Sequence, residues 1–293
     1  MSNLSRAILL NKKVLERTPV VRDVASRLLL GVRPVVPADV PAKTSFANSY
    51  SLISEKNSQP FRKIMDHMDC YIGAGFYGPN KHWEYPWVLS NLELSPGLKV
   101  LDAGCGTSPP QYVIAGLGCK THGIDPNEGV EWHGINRSLA KRFGREIEYR
   151  VEGLAKISYP DNHFDRVCCI SVIEHCRVKP YDNPLTTVLT DDDRALHRTM
   201  MSELIRVTKP GGLLVLTTDY YFPRSNCLAT CNVDIANLMA VDGVTVHGNR
   251  CDERFPGEDG FSPSQLIDNG DIDIANHGDI LQTSIGLTFR KDA

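Results

Sequence analysis

Lys99-Val100-Leu101-Asp102-Ala103-Gly104-Cys105-Gly106 is the stretch that decides the fold. Val100 and Leu101 read as a buried strand that stops at an acid, Asp102, and two glycines spaced one apart follow. Without a Cβ, glycine lets the backbone turn sharply and approach a ligand closely. Ser108-Pro109-Pro110 reads as a helix start, with Ser108 as N-cap and Pro109 at the first helical position. A strand, a glycine turn and a helix N-terminus in succession make a nucleotide-type cradle.

The residues narrow the ligand. A dinucleotide fingerprint needs glycine at position 109, where Pro109 stands. Proline has no N–H to offer a pyrophosphate, and Asp102 would repel one. The acid suits a ligand that presents an ammonium. A second strand, Lys120–Ile124, leads to Asp125, 19 residues past Gly106, where a carboxylate can accept both ribose hydroxyls. Several nucleotide-bearing cofactors share that device, and a plain turn acid would look the same.

Strand and helix patterns alternate onward, the signature of a parallel α/β sheet. Asn127 caps a helix carrying Trp132, Ile135, Leu139 and Phe143, and Gly144 stops it. Further strands are expected at 147–151, 166–172, 213–218 and 284–290, with a helix over 193–208 and another over 83–92. Residues 4–30 show helical spacing with basic residues between apolar ones, and prolines at 34, 37 and 41 mark a linker.

Four features, in order, resemble the class I methyltransferases that use S-adenosylmethionine. They are the 99–106 turn, Tyr159-Pro160-Asp161-Asn162-His163-Phe164-Asp165, Ser171-Val172-Ile173-Glu174-His175, and Lys209-Pro210-Gly211-Gly212. The resemblance covers residues 99–218, about the middle 40% of the chain. It implies a seven-stranded, mostly parallel, doubly wound sheet with an N-terminal helical extension. It also implies two regions: a basic extension and linker over 1–48, and a donor-binding domain over 49–293 with an acceptor-binding insert near 219–283. The implied cofactor, S-adenosyl-L-methionine, would meet Asp102, Ala103, Gly104, Cys105 and Gly106 at its methionine end, Asp125 and Pro126 at the ribose, and Gly153, Leu154 and Ser171 elsewhere. One departure stands out: relatives often place Asp after the third strand to reach the adenine, whereas this chain has Glu152-Gly153.

Composition sets the outer bounds. A 42% hydrophobic, 23% charged chain of 293 residues is an ordinary soluble globular protein, long enough to bury a core without staples. Net charge is −3, so no global basic field calls for nucleic acid. The charge is lopsided, with 11 Lys/Arg against 4 Asp/Glu in residues 1–63 and 5 against 12 in residues 219–293. Nine cysteines, without a C-x-x-C pair or a secretory signal, fit a reducing cytoplasm. No apolar run approaches the ~18–20 residues of a membrane span.

For chemistry, the sulfonium donor needs chiefly an aligned nucleophile and exclusion of water. His175, just past the fourth strand of the motif region, can take a hydroxyl proton near neutral pH, and it can equally serve as a packing residue. Glu174 has the same two readings. Tyr220, Tyr221 and Phe222 can wall an acceptor pocket or pack in the core. No metal site is expected from the acidic residues of 252–279, whose spacing matches no ligand set. The expected acceptor is a small molecule or sugar methylated at oxygen, with nucleic acid disfavoured by the acidic insert. An RNA or protein methyltransferase, and a non-catalytic scaffold keeping the fold, are the alternatives.

Overall fold

Neighbouring residues of the central strands alternate between two apolar cores, one on each face of a single sheet. Val100, Cys168, Leu213 and Val215 face one core; Leu101, Cys169, Leu214 and Leu216 face the other. The period of two is that of a pleated strand buried on both faces. The computed structural model describes residues 44–72, 78–126, 130–179, 189–223, 233–251, 270–277 and 280–293. The expected helices of 4–30 and the linker prolines lie outside the described residues.

In chain order the elements are β1 (Ser49–Tyr50), α1 (Ile53–Lys56), α2 (Gln59–Ile72), α3 (Lys81–Asn91), β2 (Lys99–Ala103), α4 (Pro110–Gly116) and β3 (Lys120–Asp125). There follow α5 (Val130–Arg142), β4 (Ile147–Val151), β5 (Phe164–Ile170), a 3₁₀ turn (Ile173–His175), α6 (Asp191–Val207) and β6 (Thr208–Pro223). The chain closes with α7 (Ile235–Met239), β7 (Val244–Val246), β8 (Ala275–His277) and β9 (Ile280–Lys291).

The sheet runs β1-β9-β6-β5-β2-β3-β4, with β7 and β8 also paired to β9. Strands β4, β3, β2, β5 and β6 are parallel to their neighbours, and β9 is antiparallel to β6. Among the described residues, nine strands therefore stand where seven were expected. The difference lies at one edge, where β7, β1 and β8 pair with successive stretches of β9 at 289–291, 285–286 and 280–282. Three short pieces do the work of one edge strand. Residues of α2, α3, α4 and α5 pack on one face, and α6 and α7 on the other, which is the doubly wound arrangement. Among the described residues no helix is long and apolar enough to cross a membrane.

Three local expectations are corrected. The Ser108 hydroxyl donates to the Cys105 carbonyl at 2.9 Å, closing the turn rather than capping α4, whose N-cap position is Pro109. Strand β5 ends at Ile170 because Ser171 turns into the left-handed region at φ 50°. Residues 44–48, expected in the linker, are fastened to the domain: Asn48 is fully buried and accepts from Thr288 N at 2.9 Å.

Candidate active site

The order of strands reverses at β2, whose neighbours are β3 and β5, so a crevice opens outside their carboxyl ends. The 104–106 turn bounds it on one side. Gly104 N and Cys105 N both donate to Ile124 O, at 2.8 and 2.9 Å, and Gly106 N donates to Asp125 Oδ2 at 3.1 Å. Asn136 Nδ2 holds the Gly106 carbonyl at 2.6 Å. Gly104 has φ 76°, and a Cβ there would stand 2.5 Å from Val172 Cγ2. That glycine is demanded by the turn after β5 as well as by any ligand.

Asp102 and Ala103 are buried at the end of β2. Among the described residues, Asp102 Oδ1 accepts a long contact from Cys168 Sγ at 3.7 Å, and the buried Oδ2 has no hydrogen-bond partner. Burial, with the nearby Asp125 in the same sense, pushes its carboxyl up to about 7. A buried, half-satisfied acid beside a glycine turn fits a ligand that brings an ammonium. Cys105 is buried against Gly123, where a Cβ would stand 2.9 Å from its Sγ. Exposed Pro126 borders Gly153, and Leu154 belongs to the core. Glu152 accepts from Ser158 N at 2.9 Å through Oε2, while its buried Oε1 has no partner among the described residues. The structure thus gathers Asp102–Gly106, Asp125, Pro126, Gly153 and Leu154 along one rim.

The Ser171 side chain turns toward a second group of residues. Its hydroxyl donates to Glu84 Oε2 at 2.7 Å, in a buried polar cluster on the β5–β6 side. Glu84, fully buried on α3, also accepts from Lys81 Nζ at 2.5 Å, Ser284 Oγ at 2.7 Å and Asn80 Nδ2 at 3.1 Å. Asn80 Nδ2 also reaches Asp219 Oδ1 at 2.9 Å. Asp219 N donates to Glu174 Oε1 at 3.0 Å, and His175 Nε2 stands 4.0 Å from that oxygen. One ligand-type atom each from Glu174, His175 and Asp219 lie within 4.8 Å of one another.

The electrostatics differ sharply within this cluster. Burial opposes the charge of Glu84, but Lys81 and the serine hydroxyls outweigh it and hold its carboxyl below the usual range. Burial, reinforced by Asp219, pushes Glu174 up to about 8. Burial and Glu84 raise Asp219 as well. Desolvation lowers the His175 imidazole below its usual range, which favours the neutral ring, and its side chain is 57% exposed. A buried acid next to a neutral, exposed imidazole can bind a donor and pass on its proton.

Glu84, Lys81, Asn80 and Ser284 were not anticipated. The signal was Glu84 amid Trp83, Tyr85, Pro86 and Trp87, an acid inside an aromatic run on a helix. Tyr220 and Tyr221 continue β6 beyond Asp219 and are half-buried; the side chain of Phe222 and loop residues 180–188 lie outside the described residues. Of the acidic residues in 252–279, Asp271 accepts from Ser54 and Asp273 pairs with Lys56, both structural roles.

Residues 101–216 match a family model described as a methyltransferase domain. The chain is 28% identical over 177 residues to a sterol 24-C-methyltransferase of Yarrowia lipolytica, covering 58% of this chain and 42% of that protein. It is 27% identical to phosphoethanolamine N-methyltransferase 3 of Arabidopsis thaliana, covering 57% and 32%, and 30% identical to a ubiquinone biosynthesis O-methyltransferase of Xanthomonas euvesicatoria, covering 52% and 56%. The chain thus spans between about a third and little over half of these relatives. A solved S-adenosylmethionine-dependent methyltransferase of Aquifex aeolicus superposes with a TM-score of 0.46 at 16% identity, covering 73% of this chain and 94% of that one.

Proposed function

We propose that the chain is a class I S-adenosylmethionine-dependent methyltransferase that transfers the donor's methyl group to a small-molecule acceptor. One observation carries this reading: the buried Asp102 carboxylate, with Oδ2 lacking a partner among the described residues, lies beside a glycine turn pinned to Asp125. The rim suits a ligand with an ammonium at one end and a ribose at the other. The three curated relatives are named for a sterol carbon, the nitrogen of phosphoethanolamine and an oxygen in ubiquinone biosynthesis. Those names support a small acceptor and divide on the atom methylated.

In this reading Asp102 and the Gly104–Gly106 turn hold the methionine end, Asp125 and Pro126 the ribose, and Gly153 and Leu154 border the base. The bound donor supplies an activated methyl on a sulfonium. Glu174 and His175 face the acceptor, a hydroxyl as expected from the sequence or an amine. His175 takes its proton, worth ~10²–10⁴-fold when the acceptor must be deprotonated. Ser171 keeps the turn in place through Glu84 rather than touching the donor.

Calorimetric titration with S-adenosylhomocysteine tests the donor half. The native protein should bind it, and Asp125→Ala should weaken binding by about tenfold or more, roughly 1.4 kcal/mol. Absence of binding by the native protein would defeat the reading.

A further inference from the structure

We propose that the acceptor is a cationic amine, seated as its ammonium among Glu174, Asp219 and His175 and methylated at nitrogen. The proposal rests on the methyl-transfer reading above and names the substrate class of that same site.

Charge supports it first. Three carboxylates, Glu84, Glu174 and Asp219, share this buried cluster with one ammonium, Lys81. Lys81 Nζ is bonded to Glu84, and among the described residues no Lys or Arg forms an ion pair with Glu174 or Asp219. Burial and repulsion between neighbouring carboxylates hold the carboxyls of Glu174 and Asp219 up, and the one nearby ammonium is bonded to Glu84; a second cation seated between them would let both ionise. A neutral hydroxyl would not, and a phosphate or carboxylate placed there would be repelled.

Hydrogen-bonding capacity points the same way. Glu174 is fully buried, yet its Oε2 has no hydrogen-bond partner among the described residues. A buried carboxylate oxygen normally has one, so the site is short of a donor. An ammonium brings three.

Spacing separates an ammonium from a metal ion. Acceptors placed tetrahedrally around an ammonium at ~2.8 Å stand ~4.6 Å apart. Ligands around a small divalent metal at ~2.1 Å stand only ~3.0–3.4 Å apart. His175 Nε2 and Glu174 Oε1 are 4.0 Å apart, and the three groups lie within 4.8 Å. The separation of 4.0 Å suits a hydrogen-bonded cation and would have to contract around a metal.

His175 completes the chemistry. An ammonium has no lone pair, so one proton must leave before it can attack. That N–H proton passes to the neutral imidazole, which is exposed enough to release it to water. The freed nitrogen lone pair forms a bond to the methyl carbon as the carbon–sulfur bond breaks, with that electron pair staying on sulfur. The products are the methylated ammonium, S-adenosylhomocysteine and one proton. Glu174 and Asp219 hold the cation before and after the transfer.

The test supplies the full-length protein with methyl-labelled S-adenosylmethionine and a protein-free metabolite extract. Half of the extract is first treated with N-hydroxysuccinimidyl acetate, which blocks amines and spares alcohols. The labelled product should bind a cation exchanger at pH 7 and fall at least about tenfold after blocking. Asp219→Asn and His175→Gln should each lower labelling at least about tenfold while S-adenosylhomocysteine affinity stays within about twofold. Undiminished label after blocking overturns the amine and leaves methyl transfer standing. Label absent from both halves counts against methyl transfer itself and removes the ground of the proposal. A stoichiometric manganese or zinc ion, bound by the native protein and lost in Asp219→Asn, would assign the three residues to a metal and overturn it as well.

Discussion

A ligand ammonium seated beside Asp102 would have to displace the proton that burial favours there. Burial has raised the Asp102 carboxyl to about 7, while an ammonium ligand favours the ionised form. Below pH 7 the proton has to leave on binding; above it the carboxylate is already formed. S-adenosylhomocysteine affinity is therefore expected to rise from pH 6 to 7 and level off above, with a limiting slope of about tenfold per unit. Calorimetry in two buffers of different ionisation enthalpy at pH 6 would show proton release, and Asp102→Asn would abolish the slope. A flat profile in the native protein would contradict the placement of the ammonium. Lys81 and Glu84 form the other decisive pair. Lys81→Met strands a buried charge and should cost about 3–5 kcal/mol in urea unfolding. The double variant Lys81→Met/Glu84→Gln should recover most of that loss. Equal losses in both variants would show that the ion pair is not what the cluster depends on.

At the scale of elements, two contacts connect packing to the site. Gly286 of β9 lies under Trp87 of α3, where a Cβ would stand 2.6 Å from the indole. Gly286→Ala should therefore lift α3, with Glu84 upon it, and cost about 1–3 kcal/mol by overpacking. Unchanged stability would mean that the indole moves aside freely. At the start of α6, Thr190 and Asp193 form a capping box, and Asp193 also accepts from Val178 N at 2.9 Å and pairs with Arg177 at 3.2 Å. Burial opposes its charge, but these donors hold its carboxyl well below the usual range. A depressed folded pKa gives stability that is complete above the unfolded value of ~3.9 and lost as pH falls below it. Asp193→Asn should lower the unfolding temperature at pH 7 and flatten the acid limb below about pH 4; an acid limb as steep as the native one would refute this. Much of this level was legible beforehand. The helix at 193–208 and the strands at 99–103 and 147–151 were readable because apolar periodicity and Gly/Pro stops are local signals. The early end of β5 was not, since the Ser171 turn is set by contacts with Glu84 and Thr217, far away in the chain.

For the molecule as a whole, the two cores and the reversal of strand order at β2 place both halves of the site at one edge of the sheet. The Asp102–Asp125 rim was legible because Asp102, the glycines and Asp125 follow one another at short, fixed spacing. Of the second cluster only Glu174 and His175 were legible, because Glu84, Asp219 and Ser284 come from three distant stretches and meet them only in the fold. The composite edge on β9 escaped for a related reason: strands of two or three residues leave no periodicity to read. The most direct measurement of the central claim is a crystal structure with S-adenosylhomocysteine bound. The account predicts ribose hydroxyls on Asp125, the homocysteine ammonium beside Asp102, and the sulfur directed toward Glu174 and His175. Ligand seated elsewhere, as in the open groove lined by Lys120, Arg137, Lys141 and Arg145, would contradict it.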